Sequence, residues 1–126
     1  MSLVKYAVLS LLLITSCAGA QSARPSTRHL HPEKYYQELW CNEHNGVMEY
    51  RLDDATRVDC LTDEYAIEFD FAPKWAESVG QALYYSLMTG KQAGVVLIME
   101  KEGDGRHLVR LNALAGRYNI KVWTTQ

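Results

Sequence analysis

Three acidic residues near the middle of the chain stand where a sheet would normally carry apolar ones. Asp59 lies between Val58 and Cys60, while Glu68 and Asp70 are interleaved with Ile67, Phe69 and Phe71. Alternate side chains of a strand point to opposite faces. Ile67, Phe69 and Phe71 therefore turn one way, and Ala66, Glu68, Asp70 and Ala72 the other. A hairpin between the two segments brings Asp59 near Glu68 or Asp70 on one face. Like charges that close repel and raise each other's pKa unless a cation lies between them. An oxygen-only cluster of this kind suits Mg2+ or Mn2+. The same acids also suit a plainer role, a solvated sheet face paired with Arg57 or Lys74.

The segment after the acids adds polar groups at helical spacing. Lys74, Gln81 and Tyr85 are seven and four residues apart. At roughly 100° per residue they fall within about 40° of one another. The spacing predicts one polar stripe, with Ser78 on it, opposite a core-facing side of Trp75, Ala76, Val79, Ala82, Leu83 and Leu87. Lys74, just past the acidic strand, is placed to reach back toward Glu68. An ordinary solvent face of an amphipathic helix gives the same pattern.

Positioning these groups requires a sheet. A helix is expected over 32–44, with Pro32 in its first turn and Tyr35, Leu39, Tyr36 and Trp40 on its apolar side. Asn45-Gly46 ends it, glycine suiting a left-handed cap. Strands follow over 47–52, 57–61 and 65–72, separated by the turn signals Asp53-Asp54 and Thr62-Asp63-Glu64, as an antiparallel meander. Pro73 opens a helix to Thr89 with Gly90 as its cap. The unbroken apolar run Gly94–Met99 reads as a strand buried on both faces. A short helix from His107 to Ala115 and a strand from Ile120 to Thr124 complete the order α-β-β-β-α-β-α-β. This is an α/β mixed sheet with helices covering its faces.

Asp59, then Ala66-Ile67-Glu68-Phe69-Asp70, then Gln81-Ala-Leu-Tyr-Tyr85 resembles the PD-(D/E)XK, or restriction endonuclease-like, nuclease superfamily. The Gln81-x-x-x-Tyr85 part is similar to the element found in RecB-type members. The resemblance spans about two-thirds of the mature chain. It implies an αβββαβ core, here with an added C-terminal helix and strand. Asp59 would match the first metal-binding acid and Glu68 the acid of the (D/E)-x-K element. The lysine of that element is replaced by Asp70, and Lys74 on the next helix would substitute for it. Glu49 on the first strand, or Glu38 on the first helix, would be an additional acid. The implied activity is Mg2+- or Mn2+-dependent hydrolysis of DNA or RNA. Asp59, Glu68 and Asp70 would hold the metal, and Gln81 and Tyr85 would contact the nucleic acid or support the acids. Loss of the lysine leaves open a catalytically inactive module that binds nucleic acid or a protein partner.

The chain's ends and cysteines bear on where this happens. Lys5 followed by the apolar run from Tyr6 to Ile14 and the small residues Thr15–Ala20 has the form of an export signal over 1–20. The run is shorter than the roughly 20 apolar residues a membrane-spanning helix needs. Ala18-Gly19-Ala20 suits cleavage before Gln21, and Ile14-Thr15-Ser16-Cys17 equally suits lipidation of Cys17. Residues 21–31 read as a polar linker and 32–126 as one domain. The expected location is periplasmic or secreted, with no transmembrane segment in the mature chain.

The net charge of −2 becomes −3 once Lys5 is removed. Coating of polyanions by bulk charge is thereby excluded, so nucleic acid would require a local groove or a metal. Export permits a disulfide between Cys41 and Cys60, which otherwise pack as small hydrophobes. Cys41-Asn-Glu-His44 supplies too few ligands for a zinc site.

Overall fold

Alternation over residues 65–71 and the apolar run at 93–98 produce the two central strands of a five-stranded mixed sheet. The computed structural model describes residues 28–126. The segment 1–20 expected to be an export signal, with Cys17, and residues 21–27 of the expected linker lie outside the described residues. The elements are α1 (Glu33–Glu43), β1 (Val47–Arg51), β2 (Arg57–Leu61), β3 (Tyr65–Phe71), α2 (Trp75–Thr89), β4 (Gln92–Ile98), α3 (Gly105–Tyr118) and β5 (Lys121–Thr125). Spatial order follows sequence order, β1-β2-β3-β4-β5. The first three strands run antiparallel, whereas β4 and β5 lie parallel to β3. Parallel neighbours need a crossover, which α2 and α3 supply.

The helices divide between the two faces. On one side, Val79 and Ala82 of α2 and Leu111 and Ala115 of α3 pack on Ala93, Val95 and Leu97. On the other, Trp40 and Cys41 of α1 pack on Cys60, Ile67, Phe69 and Val96. Each fully buried aliphatic side chain here, such as Leu97 or Leu111, contributes about 1.5–3 kcal/mol. β4 is covered on both faces, which accounts for its unbroken apolar run.

Two helices keep part of the expected core face, Tyr36 and Trp40 in α1 and Trp75, Val79, Ala82 and Leu83 in α2, but are rotated from it. In α1, Tyr36, Gln37, Trp40 and Cys41 are buried, while Tyr35 and Leu39 are exposed. Pro32 is the N-cap, one residue ahead of the first turn. In α2 the buried set is Ser78, Val79, Ala82 and Tyr85, and Ala76 and Leu87 face solvent. Burial of Tyr36 and Tyr85 is compatible with their hydroxyls because aromatic rings carry a large apolar surface. Ser78 donates to the Trp75 carbonyl at 2.6 Å, so its hydroxyl is satisfied within the helix. Gly90 caps α2 in the left-handed region as expected, at φ 70°.

Cys41 and Cys60 form a disulfide that ties α1 to β2. Gly46 has a different role from the cap that the sequence suggests. Asn45 takes the left-handed conformation, at φ 53°. A Cβ at Gly46 would instead overlap the sulfurs of both cysteines.

Candidate functional site

β2 and β3 part company at Asp59. Their ladder pairs Leu61 with Ala66 and Cys60 with Ile67, a register that sets Asp59 opposite Glu68. There the Asp59 side chain replaces the backbone, its Oδ2 accepting the Phe69 N–H at 2.8 Å. Across β1, Glu49 faces Asp59 between the pairs Met48–Cys60 and Tyr50–Val58. Glu49 sits in the left-handed region at φ 53°, a conformation disfavoured for a residue with a long side chain. The facing also shifts at this level. Cys60 packs beneath α1, yet Val58, two residues away, packs with Ala66 and Tyr85 beneath α2. A regular strand would put both on one face.

The acids collected around this irregularity carry perturbed protonation. Burial raises the Glu68 carboxyl strongly; the Asp59 charge, a hydrogen bond with Asp59, and then Asp70 and Glu33 push it further. Burial also raises Asp59, which Glu33 and Glu49 push the same way, while the Phe69 N–H pulls it back. Asp70 is pushed up to about 7, first by burial and then by Glu33, against a lowering pull from Lys74. Glu68 and Asp70 are only 5% and 4% exposed. Oε2 of Glu68 and Oδ1 of Asp70 are enclosed with no hydrogen-bond partner. A buried acceptor left without a partner costs about 1–3 kcal/mol. Such a cost needs a compensating role.

α2 brings one of the expected supporting groups to the acids. Tyr85 is buried, and its phenol is raised to about 12 by burial and then by the charges of Glu68 and Asp59. Gln81 is exposed, because the buried stripe of α2 passes through Ser78, Ala82 and Tyr85. Lys74 lies 3.9 Å from Glu77. The structure thus pairs it along the helix rather than with Glu68, although its charge still favours the ionised forms of Asp70 and Glu33. Arg57 pairs with Glu49 at 3.4 Å and not with Asp59.

Glu33 is the acid that sequence reasoning missed. It opens α1, and its charge acts on Asp59, Glu68 and Asp70. Its own carboxyl is raised, by burial first, and it accepts from Gln37 at 3.0 Å. Glu38 instead faces solvent beside Lys34. The phase of α1 selects between them. With Tyr36, Gln37, Trp40 and Cys41 inward, position 33 shares the face of 37. Recognising Gln37 as a core-facing polar residue would have pointed to Glu33.

The donor set is all oxygen and carries two enclosed oxygens without partners, which suits a hard divalent cation. Among the described residues, no three His, Cys, Asp or Glu side chains already stand in a metal-ligating arrangement. Binding would require side chains of the acidic cluster to rearrange. Among the described residues no helix is long and apolar enough to cross a membrane. Comparison with protein-family models, curated proteins and solved structures gives no match to this chain.

Proposed function

We propose that this chain is an exported, metal-dependent nuclease of the restriction endonuclease-like type, hydrolysing phosphodiester bonds of DNA or RNA. The observation that carries the reading is the pair of enclosed, partnerless oxygens on Glu68 and Asp70 beside Asp59. The order of α1, an antiparallel β1-β2-β3 meander, α2 and a parallel β4 supports the αβββαβ core, with α3 and β5 as the additions. Asp59, Glu68 and Asp70 would hold Mg2+ or Mn2+, which when bound polarises a phosphate and lowers the pKa of a water. Glu33 and Glu49 strengthen the negative field that attracts the ion. Tyr85 supports the acids from α2. Lys74 is the cation available to neutralise charge developing on the phosphate. The Cys41–Cys60 disulfide is in keeping with an oxidising compartment and so with export.

A second reading, a catalytically inactive module of the same fold, draws on two observations. Asp70 stands where the nuclease element has lysine, and Lys74 is engaged by Glu77. Incubation of the purified chain with plasmid DNA and with single-stranded RNA, with Mg2+, Mn2+ or EDTA, separates the two. Metal-dependent cleavage that Asp59→Asn abolishes is the expected result. Metal binding without cleavage of either substrate selects the inactive module.

A further inference from the structure

The α1 side of the sheet holds a second constellation, independent of the acids. Tyr65 opens β3, Trp123 lies on β5 and Trp40 on α1. The Tyr65 and Trp123 rings stand 5.0 Å apart at 88°, and Trp40 and Trp123 stand 5.1 Å apart at 64°. His44 stacks on Trp40 at 3.5 Å. All four rings border one cavity of about 300 Å3, whose rim carries Asp63 and Glu64. Trp123 can lie there because residue 94 is glycine; a Cβ would come within 2.9 Å of the indole.

The two charged residues that line this cavity, Asp63 and Glu64, are both acidic. No lysine or arginine lines it. Among the described residues neither Asp63 nor Glu64 takes part in an ion pair. Lys91 donates to the Asp63 carbonyl rather than to its carboxylate. We propose that this cavity binds a quaternary or methylated ammonium group. The faces of aromatic rings attract such cations, and methylation makes the ammonium cheap to desolvate. The Trp123 ring already draws one cation, Lys121, whose Nζ lies 5.9 Å from its centroid. An incoming ammonium would compete with that lysine for the Trp123 ring, with the two carboxylates favouring its approach. A neutral sugar could stack on the same rings and donate hydroxyls to the acids, but it would gain nothing from their net charge.

The test is a titration of the full-length chain followed by tryptophan fluorescence. The probes are choline, its neutral carbon isostere 3,3-dimethylbutanol, and a neutral trisaccharide. Saturable quenching by choline is expected, with the isostere weaker by about tenfold. Trp123→Leu should abolish the response. Because that variant disturbs packing, an Asp63→Asn, Glu64→Gln double variant on the exposed turn serves as the second measurement. It should weaken choline several-fold at an unchanged Tm. Lys121→Gln should strengthen binding by removing a competitor. Equal affinity for choline and the isostere, saturation by the trisaccharide alone, or no saturable response to choline would each overturn the assignment.

Discussion

The Asp59 carboxylate accepts the Phe69 amide at 2.8 Å, one step beyond the last backbone pair joining β2 to β3. A side chain thus completes the hydrogen bonding of the strand that carries Glu68 and Asp70, and two substitutions at position 59 should diverge. Asp59→Asn keeps an oxygen for the Phe69 N–H and removes a charge beside Glu68, so metal-free stability should hold or rise. Asp59→Ala leaves that N–H without a partner and should cost about 1–3 kcal/mol. Urea denaturation in EDTA reads both. Equal losses would show that the Asp59 charge itself holds the fold together.

Metal binding should release protons. Glu68 is raised strongly enough to carry a proton at neutral pH, hydrogen-bonded to Asp59, and a ligating carboxylate must be ionised. Mg2+ affinity should therefore increase from about pH 6 to about pH 8. Calorimetric titrations in two buffers of different ionisation enthalpy count the protons directly. Affinity independent of pH, with no proton released, would place the ion elsewhere.

Stability of the metal-free protein should fall as pH rises. Asp70 has an ordinary value of 3.8 and lies at about 7 in the fold. Above 3.8 the unfolded chain loses this proton while the folded one keeps it. The penalty grows until about 7 and is complete beyond it. Glu68, also raised, extends the decline to higher pH. Thermal melts in EDTA should give a higher Tm near pH 5 than near pH 8, and Asp70→Asn should make the decline between about 4 and 7 shallower, the raised Asp59 and Glu68 supplying the rest. A Tm that climbs through this window in the parent chain and is unchanged by Asp70→Asn would mean that Asp70 is not isolated.

Much of this arrangement was legible in the sequence because it depends on local signals. The element order, the antiparallel meander, the Gly90 cap and the opposed faces of β3 follow from turn residues and period-two alternation. What was hidden depends on tertiary contacts. The buried stripe of α2 includes Val79 and Ala82 as expected but extends to Ser78 and Tyr85, which read as polar, yet one satisfies its hydroxyl within the helix and the other buries a ring. The phase of α1 turned on Gln37 in the same way. Left-handed Glu49 and the parting of strands at Asp59 leave no trace in composition. They are set by which backbone groups find partners across the sheet.

The Cys41–Cys60 bond makes a separate prediction for the fold. It closes a loop with a sequence separation of 19, worth about 3 kcal/mol in a chain-entropy account. Dithiothreitol should lower the Tm accordingly. Gly46→Ala should do so in oxidised protein, because the added methyl would collide with both sulfurs. In a Cys41→Ala, Cys60→Ala background, where the sulfurs are gone, the same glycine substitution should cost much less. Equal losses in both backgrounds would mean that Gly46 is needed for some other reason.

Lys74 is where catalysis and fold are most cleanly separated. It is exposed, and its ion pair with Glu77 spans 3.9 Å on the helix surface, so Lys74→Met should change stability by no more than about 1 kcal/mol. Its charge nevertheless acts on Asp70 and Glu33, which places it within electrostatic reach of a phosphate held at the acids. If it neutralises charge that develops during cleavage, Lys74→Met should lower kcat by about 10²–10³-fold. The Mg2+-induced rise in Tm should remain, because ligands and lysine are different groups. Glu77→Gln supplies the complementary test. Freeing Lys74 from its surface partner should leave cleavage unchanged or faster. A Lys74→Met protein that cuts as well as the parent would remove lysine from the mechanism and leave the acids and their metal to act alone. Loss of the metal-induced Tm shift in the same variant would instead make Lys74 a structural support of the acidic cluster.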